Sequence, residues 1–361
     1  MENLVNNLLS FYLTLLAIRR QPLSLFELRS KLFGGWTPHR RAFHPDAQSK
    51  RLERGTSRLG VKISFIVAVL LWGWSFLHQP LLQPQSSFAE TSLQRSVAIQ
   101  TTDLTHLQMG DGRVSTHPEI GSVWSCRTRF NHRAGAHASG AWIHADGTYD
   151  FTAKPTVDGK ILWPSQFKMI FQNNMRIILG NRLPKNPTGQ FPISTKDDAY
   201  AYDRNPNTIE RETYQINLPV LPALATEASC LPMGEIGVLV NGGYLFNALD
   251  EKGEDAVAHE IQDSCQGHPE HHGAYHYHNV TSCLEEKGTQ HSELVGYALD
   301  GFGIYGHQGE KGKVLTNQDL DQCHGHTHEI QWNGKPMKLY HYHATWEYPY
   351  TVGCFRGTPT A

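Results

Sequence analysis

The chain has 361 residues, of which 18% are charged, with 32 glycines and 19 prolines. That length holds ample material for one large domain or two small ones, and a turn-rich, charge-poor composition argues against a helical bundle. The formal net charge of −2 hides an asymmetry: residues 1–62 hold 11 Lys/Arg against 4 Asp/Glu, while the rest holds 21 against 30. The acidic body argues against a nucleic-acid partner.

The first 60 residues contain a short apolar stretch, Leu4–Ile18, followed by a basic, Pro- and Arg-rich tract, and read as a poorly structured extension. Arg51, Arg54, Arg58 and Lys62 then precede an apolar run, Ile63–Leu77, and a polar stretch reaching Ser87-Phe88-Ala89. That order is the order of a secretory signal over 61–89, with cleavage after Ala89. Val61-Lys62 would open a conventional signal if translation began there; the rival is a genuine cytoplasmic extension. The apolar run is shorter than the roughly 20 residues of a membrane span, yet anchoring through residues 63–77, with the basic side in the cytoplasm, is the alternative to cleavage. Either reading makes the product exported: periplasmic, secreted or membrane-anchored. Residues 90–120 read as a polar leader, and the folded domain is expected over 121–357.

All six cysteines, Cys126, Cys230, Cys265, Cys283, Cys323 and Cys354, follow the signal. An even count in an oxidising compartment reads as disulfides, although six cysteines permit 15 pairings. Sequence proximity favours Cys265–Cys283 and Cys323–Cys354, leaving Cys126–Cys230. No CxxC pair supports the competing reading of thiolate metal ligands.

Within the body, short apolar runs alternate with turn signals. Ala141–His144 precedes Asp146-Gly147, Lys168–Leu179 is apolar enough for two strands or a short helix, and Pro184, Pro187, Gly189 and Pro192 break the next stretch. No long helical period survives, so the expected fold is mainly β, or β-rich α+β. The second half repeats itself. Gly237–Phe246 and Gly296–Tyr305 each place apolar strands around an Asn241-Gly242 or Asp300-Gly301 turn, a strong hairpin signal. Each is followed by a Cys-x-Gly-His run, Cys265–His268 or Cys323–His326, and then by Tyr275-His-Tyr-His278 or Tyr340-His-Tyr-His343. Duplicated units over about 237–283 and 296–354, related by a pseudo-two-fold axis, are the expectation.

Histidine carries the chemistry: 13 of the 21 histidines fall between His259 and His343. Side chains two apart on a strand share a face, so Tyr-His-Tyr-His puts both imidazoles on one side and both tyrosines on the other. If the tyrosines pack inward, the imidazoles meet in a pocket and can bind one metal. Asn333-Gly334 reads as a two-residue turn that opposes Trp332 to Lys335, His326 to His341 and His324 to His343; a four-residue turn would instead oppose His326 to His343 and His328 to His341. The candidate ligands are His268, His276, His278, His326, His341 and His343, with copper or zinc as the metal; His259, His271, His272, His291, His307 and His328 read as surface or loop histidines. Asn241 and Asp300 serve their turns, and Asp300 could also orient a histidine or act as an acid/base.

His272–His278, Gly296–Gly306, Asp321–His328, Tyr340–His343 and Tyr348–Gly357 resemble the bacterial YHYH domain family, as do Gly180–Pro192 and Tyr202–Pro206 upstream. The likeness covers about residues 120–357, with Gly303 standing where the family pattern has Pro. It implies an exported bacterial protein with the histidine motifs as its signature, and no established activity. The chain thus reads as an exported, disulfide-stabilised metal-binding protein. The alternatives are a metal-dependent hydrolase or oxidoreductase, although no H-E-x-x-H or G-x-S-x-G signature is present, and a non-metal structural or carbohydrate-binding module. A small-molecule or cell-envelope partner is left unspecified.

Overall fold

A computed structural model describes residues 102–133, 135–284 and 290–360. The basic extension and the signal or anchor at 61–89, including the apolar run 63–77, lie outside the described residues. Among the described residues no helix is long and apolar enough to cross a membrane.

The fold is mainly β, as the absence of a helical period predicts. Residues 102–120, expected as a polar leader, contribute β1 (Leu107–Gln108) and β2 (Val114–Ser115). These pair with β4 (Thr148–Tyr149) and β3 (Val123–Trp124), respectively. The apolar stretch after Lys168 takes the two-strand option: β5 (Phe167–Gln172) and β6 (Met175–Gly180) turn at Asn173 and Asn174, both with positive φ, and β7 (Tyr214–Pro219) completes an antiparallel three-stranded sheet.

The remaining strands form one eight-stranded sheet. They are β8 (Glu235–Leu239), β9 (Tyr244–Phe246), β10 (Gly267–Pro269), β11 (Tyr275–Tyr277), β12 (Leu294–Ala298), β13 (Gly303–Tyr305), β14 (Gly325–Trp332) and β15 (Lys335–His343). Their order is β10-β11-β9-β8-β12-β13-β15-β14. The central pair, β8 and β12, is antiparallel. Outward from it on each side come the hairpin partner, then a parallel strand carrying the Tyr-His-Tyr-His run, then an antiparallel edge strand carrying the Gly-His dipeptide. Both predicted hairpins form, with Gly242 and Gly301 at positive φ.

Strand alternation sorts side chains onto two faces. Leu245, Tyr275, Tyr277, Ile304, Tyr340 and Tyr342 enter a large core shared with Trp142, Tyr149 and Tyr350. Tyr244 and Tyr305 face a second core with Ile178 and Leu218 of the three-stranded sheet. There the buried Arg176 guanidinium lies 4.2 Å from the Tyr297 ring centroid and 4.7 Å from that of Trp332, joining the two sheets through cation–π contact. All three expected disulfides are present: Cys126–Cys230, Cys265–Cys283 and Cys323–Cys354. Their presence points to an oxidising location.

Candidate metal centres

Each Tyr-His-Tyr-His run is held from its tyrosine side. Tyr275 Oη donates to Asp263 Oδ2 (2.8 Å), and Asp263 Oδ1 accepts from the Cys265 and Gly267 N–H groups. Tyr340 Oη likewise donates to Asp321 Oδ1 (2.9 Å), which also accepts from the Cys323 and Gly325 N–H groups. The second tyrosines reach the hairpin turns: Asn241 Nδ2 donates to Tyr277 Oη (2.9 Å), and Tyr342 Oη donates to Asp300 Oδ2 (2.5 Å). Asn241 and Asp300 therefore anchor the tetrapeptides as well as their own turns. With the tyrosines fixed on one face, His276, His278, His341 and His343 are driven to the other, all buried.

The first centre gathers Glu260, His268, His276 and His278. His268 and His276 are directly paired across β10 and β11. Glu260 follows a single helical turn, α1 (Ala256–His259), which Asp255 caps. Glu260 Oε2 lies 2.9 Å from His278 Nε2 and 3.1 Å from His268 Nε2, and the Nε2 atoms of His276 and His278 are 3.2 Å apart. His276 Nδ1 meets the Ala274 carbonyl and His278 Nδ1 the Asn247 carbonyl. A carbonyl oxygen only accepts, so each Nδ1 carries the proton and each neutral ring presents an Nε2 lone pair to the centre. Glu260 Oε2 and both ring nitrogens of His268 are buried without a well-aligned hydrogen bond among the described residues. Although burial alone would raise it, the Glu260 carboxyl is held well below its usual range by His278 and His268. Burial drives His276 well below the imidazole range, and the neighbouring His268 and His278 add to that; for His278, Glu260 outweighs burial and the shift is upward.

The second centre gathers His291, His326, His328, His341 and His343. The two-residue turn is the one that forms: Trp332 pairs with Lys335 and His326 with His341, with Asn333 and Gly334 at positive φ. His291 Nε2 lies 3.3 Å from His341 Nε2 and 3.1 Å from His343 Nε2. Nδ1 meets a backbone carbonyl in His291 (Ser292), His328 (Glu329), His341 (Leu339) and His343 (Gly306), so four rings again turn Nε2 inward. The Nε2 atoms of His326 and His328 are buried without a hydrogen bond among the described residues. Burial is the main cause that lowers His326 to about 4 and His341 to about 2, with the other imidazoles adding to it.

The six predicted ligands therefore fall into two groups of three, each joined by residues outside the predicted set: Glu260 in the first, His291 and His328 in the second. His291 and His328, expected at the surface, belong to the second centre. His328 carried a usable signal, since it stands two residues from His326 on the same strand; His291 and Glu260 carried none. His259, also expected outside, is buried and bonds Asp111 Oδ2 (3.0 Å) and the Ala138 carbonyl. His271 and His272 are exposed, as expected, and His307 stacks on Trp346. His324, predicted opposite His343, bonds it through the backbone, but at its positive φ the ring meets the His343 and Thr351 carbonyls and Thr345 Oγ1 instead of the other imidazoles.

Two further groups bring ligand-type atoms together, but their carboxylates are already engaged. Glu270 accepts from the His272 and Ala274 N–H groups, and Asp250 takes His137 Nδ1 at 3.0 Å. In the two centres the buried lone pairs face one another instead, an arrangement that is repulsive unless a cation lies between them.

No curated protein and no solved structure matches the chain. Residues 215–318 match the model of a family described as YHYH protein, a span that contains the first tetrapeptide and ends before the second. On these motifs and that match, the chain is a YHYH domain-containing protein.

Proposed function

We propose that this chain is an exported protein that binds two transition-metal ions, one in each of two duplicated Cys-x-Gly-His…Tyr-His-Tyr-His units. The observation that carries the reading is the convergence of deprotonated Nε2 atoms, held inward by Nδ1–carbonyl hydrogen bonds and separated by only 3.1–3.3 Å. Carbonyls behind metal-binding imidazoles fix the tautomer and the ring orientation in this way. The corresponding strand order on the two sides of β8 and β12 supports duplication. Three imidazoles with one carboxylate form a donor set that zinc accepts, and five imidazoles suit copper or zinc.

Elemental analysis of the full-length chain, purified without added metal, tests this. Two equivalents of copper or zinc are expected, falling to one in the H276A/H278A variant and to one in H341A/H343A. Less than about a tenth of an equivalent after reconstitution, or equal metal in wild type and both variants, overturns the reading.

A further inference from the structure

Glu260 reaches the first centre from a short turn, and a buried lysine holds that turn. The Nζ of Lys154 donates to the Val257 carbonyl (2.5 Å), the Glu260 carbonyl (2.8 Å) and Gln262 Oε1 (2.6 Å). Three acceptors match the three N–H bonds of an ammonium. Two of them are carbonyls of α1 and its C-cap, where a helix leaves acceptors without an internal partner and favours a cation. Gln262 braces the same turn by donating from Nε2 to the Ala256 carbonyl (3.3 Å). Trp142 Nε1 donates to the Ala258 carbonyl (3.0 Å) and His259 Nδ1 to that of Ala138 (2.9 Å), but of these side chains only Lys154 bonds Glu260 itself. It does so through the main chain. An ammonium bonded to the carboxylate would compete with a metal cation for the same oxygens. Held by its carbonyl instead, Glu260 keeps Oε2 turned to His278 and His268, at 2.9 and 3.1 Å.

We infer that Lys154 is a positioning residue for metal binding at the first centre: its ammonium fixes the main chain at Glu260 so that the carboxylate meets the three imidazoles. This rests on metal being bound at Glu260, His268, His276 and His278. Residues that orient a metal-binding group without touching the metal typically set affinity over about 10–100-fold. Lys154 has that leverage on one ligand only. The second centre gathers imidazoles alone, with no counterpart of Glu260, so it does not depend on the lysine. Lys154 stands 106 positions before Glu260 and outside residues 215–318, the span that matches the family model. The first centre is therefore completed by a part of the chain that the matched span does not contain.

Zinc affinity of the full-length chain is measured by competition with a chromophoric chelator. The H341A/H343A parent reads the first centre, and the H276A/H278A parent reads the second. Lys154→Met is expected to weaken the first centre about 10–100-fold and to leave the second unchanged. Glu260→Ala is expected to weaken the first centre at least as much. Adding Lys154→Met to Glu260→Ala is expected to weaken it no further, because the lysine acts through that carboxylate. Unchanged affinity of the first centre in Lys154→Met overturns the inference and leaves the metal reading intact; absence of bound zinc in the H341A/H343A parent overturns both. An equal fall in the second centre, or a further fall on combining the two substitutions, also overturns the inference, because the lysine would then support the fold and not Glu260. Should Lys154→Met fail to fold, Lys154→Gln, which keeps two N–H donors without the charge, is read in its place by the same outcomes.

Discussion

Tyr275 and Tyr340 explain why the third residue of each Cys-x-Gly-His run is glycine. A Cβ on Gly267 would lie 2.2 Å from the Tyr275 ring, and one on Gly325 would lie 2.4 Å from Tyr340 Oη. The tyrosine fills that space to reach Asp263 or Asp321 and so aims the following histidine. Gly267→Ala must push the buried Tyr275 aside; it is expected to cost about 1–3 kcal/mol in thermal unfolding and to weaken metal binding at the first centre while sparing the second. The ligand-type residues were legible where they lay on a strand with period two, as His276, His278, His341 and His343 do. Glu260 was not, because it reaches its centre from the end of α1, a placement that no spacing along the chain encodes.

At the scale of the element, the β14–β15 hairpin decides the second centre. Its Asn333-Gly334 turn holds two successive residues at positive φ, and that pins the pairing of Trp332 with Lys335 through to His326 with His341. Two registers were compatible with the histidine pattern, and the turn conformation selects one. Inserting a single glycine after Gly334 shifts one strand by one residue, which moves its side chains to the opposite face. Such a variant is expected to retain one equivalent of metal, in the first centre, and to lose the other; unchanged stoichiometry by elemental analysis would show that the hairpin does not build the site. His324 marks where register stops being informative. One residue before the strand its positive φ redirects the ring, so a position that pairing places opposite His343 becomes a buried structural histidine.

At the scale of the whole molecule, the disulfides divide the work. Cys265–Cys283 and Cys323–Cys354 close spans of 18 and 31 residues, whereas Cys126–Cys230 closes one of 104. By the chain-entropy estimate the short loops contribute about 3–4 kcal/mol each and the long one about 4.7 kcal/mol. C126S/C230S is therefore expected to lower the unfolding midpoint in denaturant more than C265S/C283S, and the reverse order would show that local strain, not loop length, sets the effect. All three pairs were legible from proximity and compartment, as was the mainly β fold from its turn signals and short apolar runs. By itself the sequence determined what depends on neighbours along the chain: the hairpins, the inward tyrosines, the shared face of the histidines and the cysteine pairs. Only the tertiary structure decided the membership of each centre. Glu260 lies 8 positions from His268, and His291 lies 35 positions from His326. Long-range packing brings them together, and it also sets the buried first centre against a cavity while the second combines three half-buried imidazoles with two buried ones.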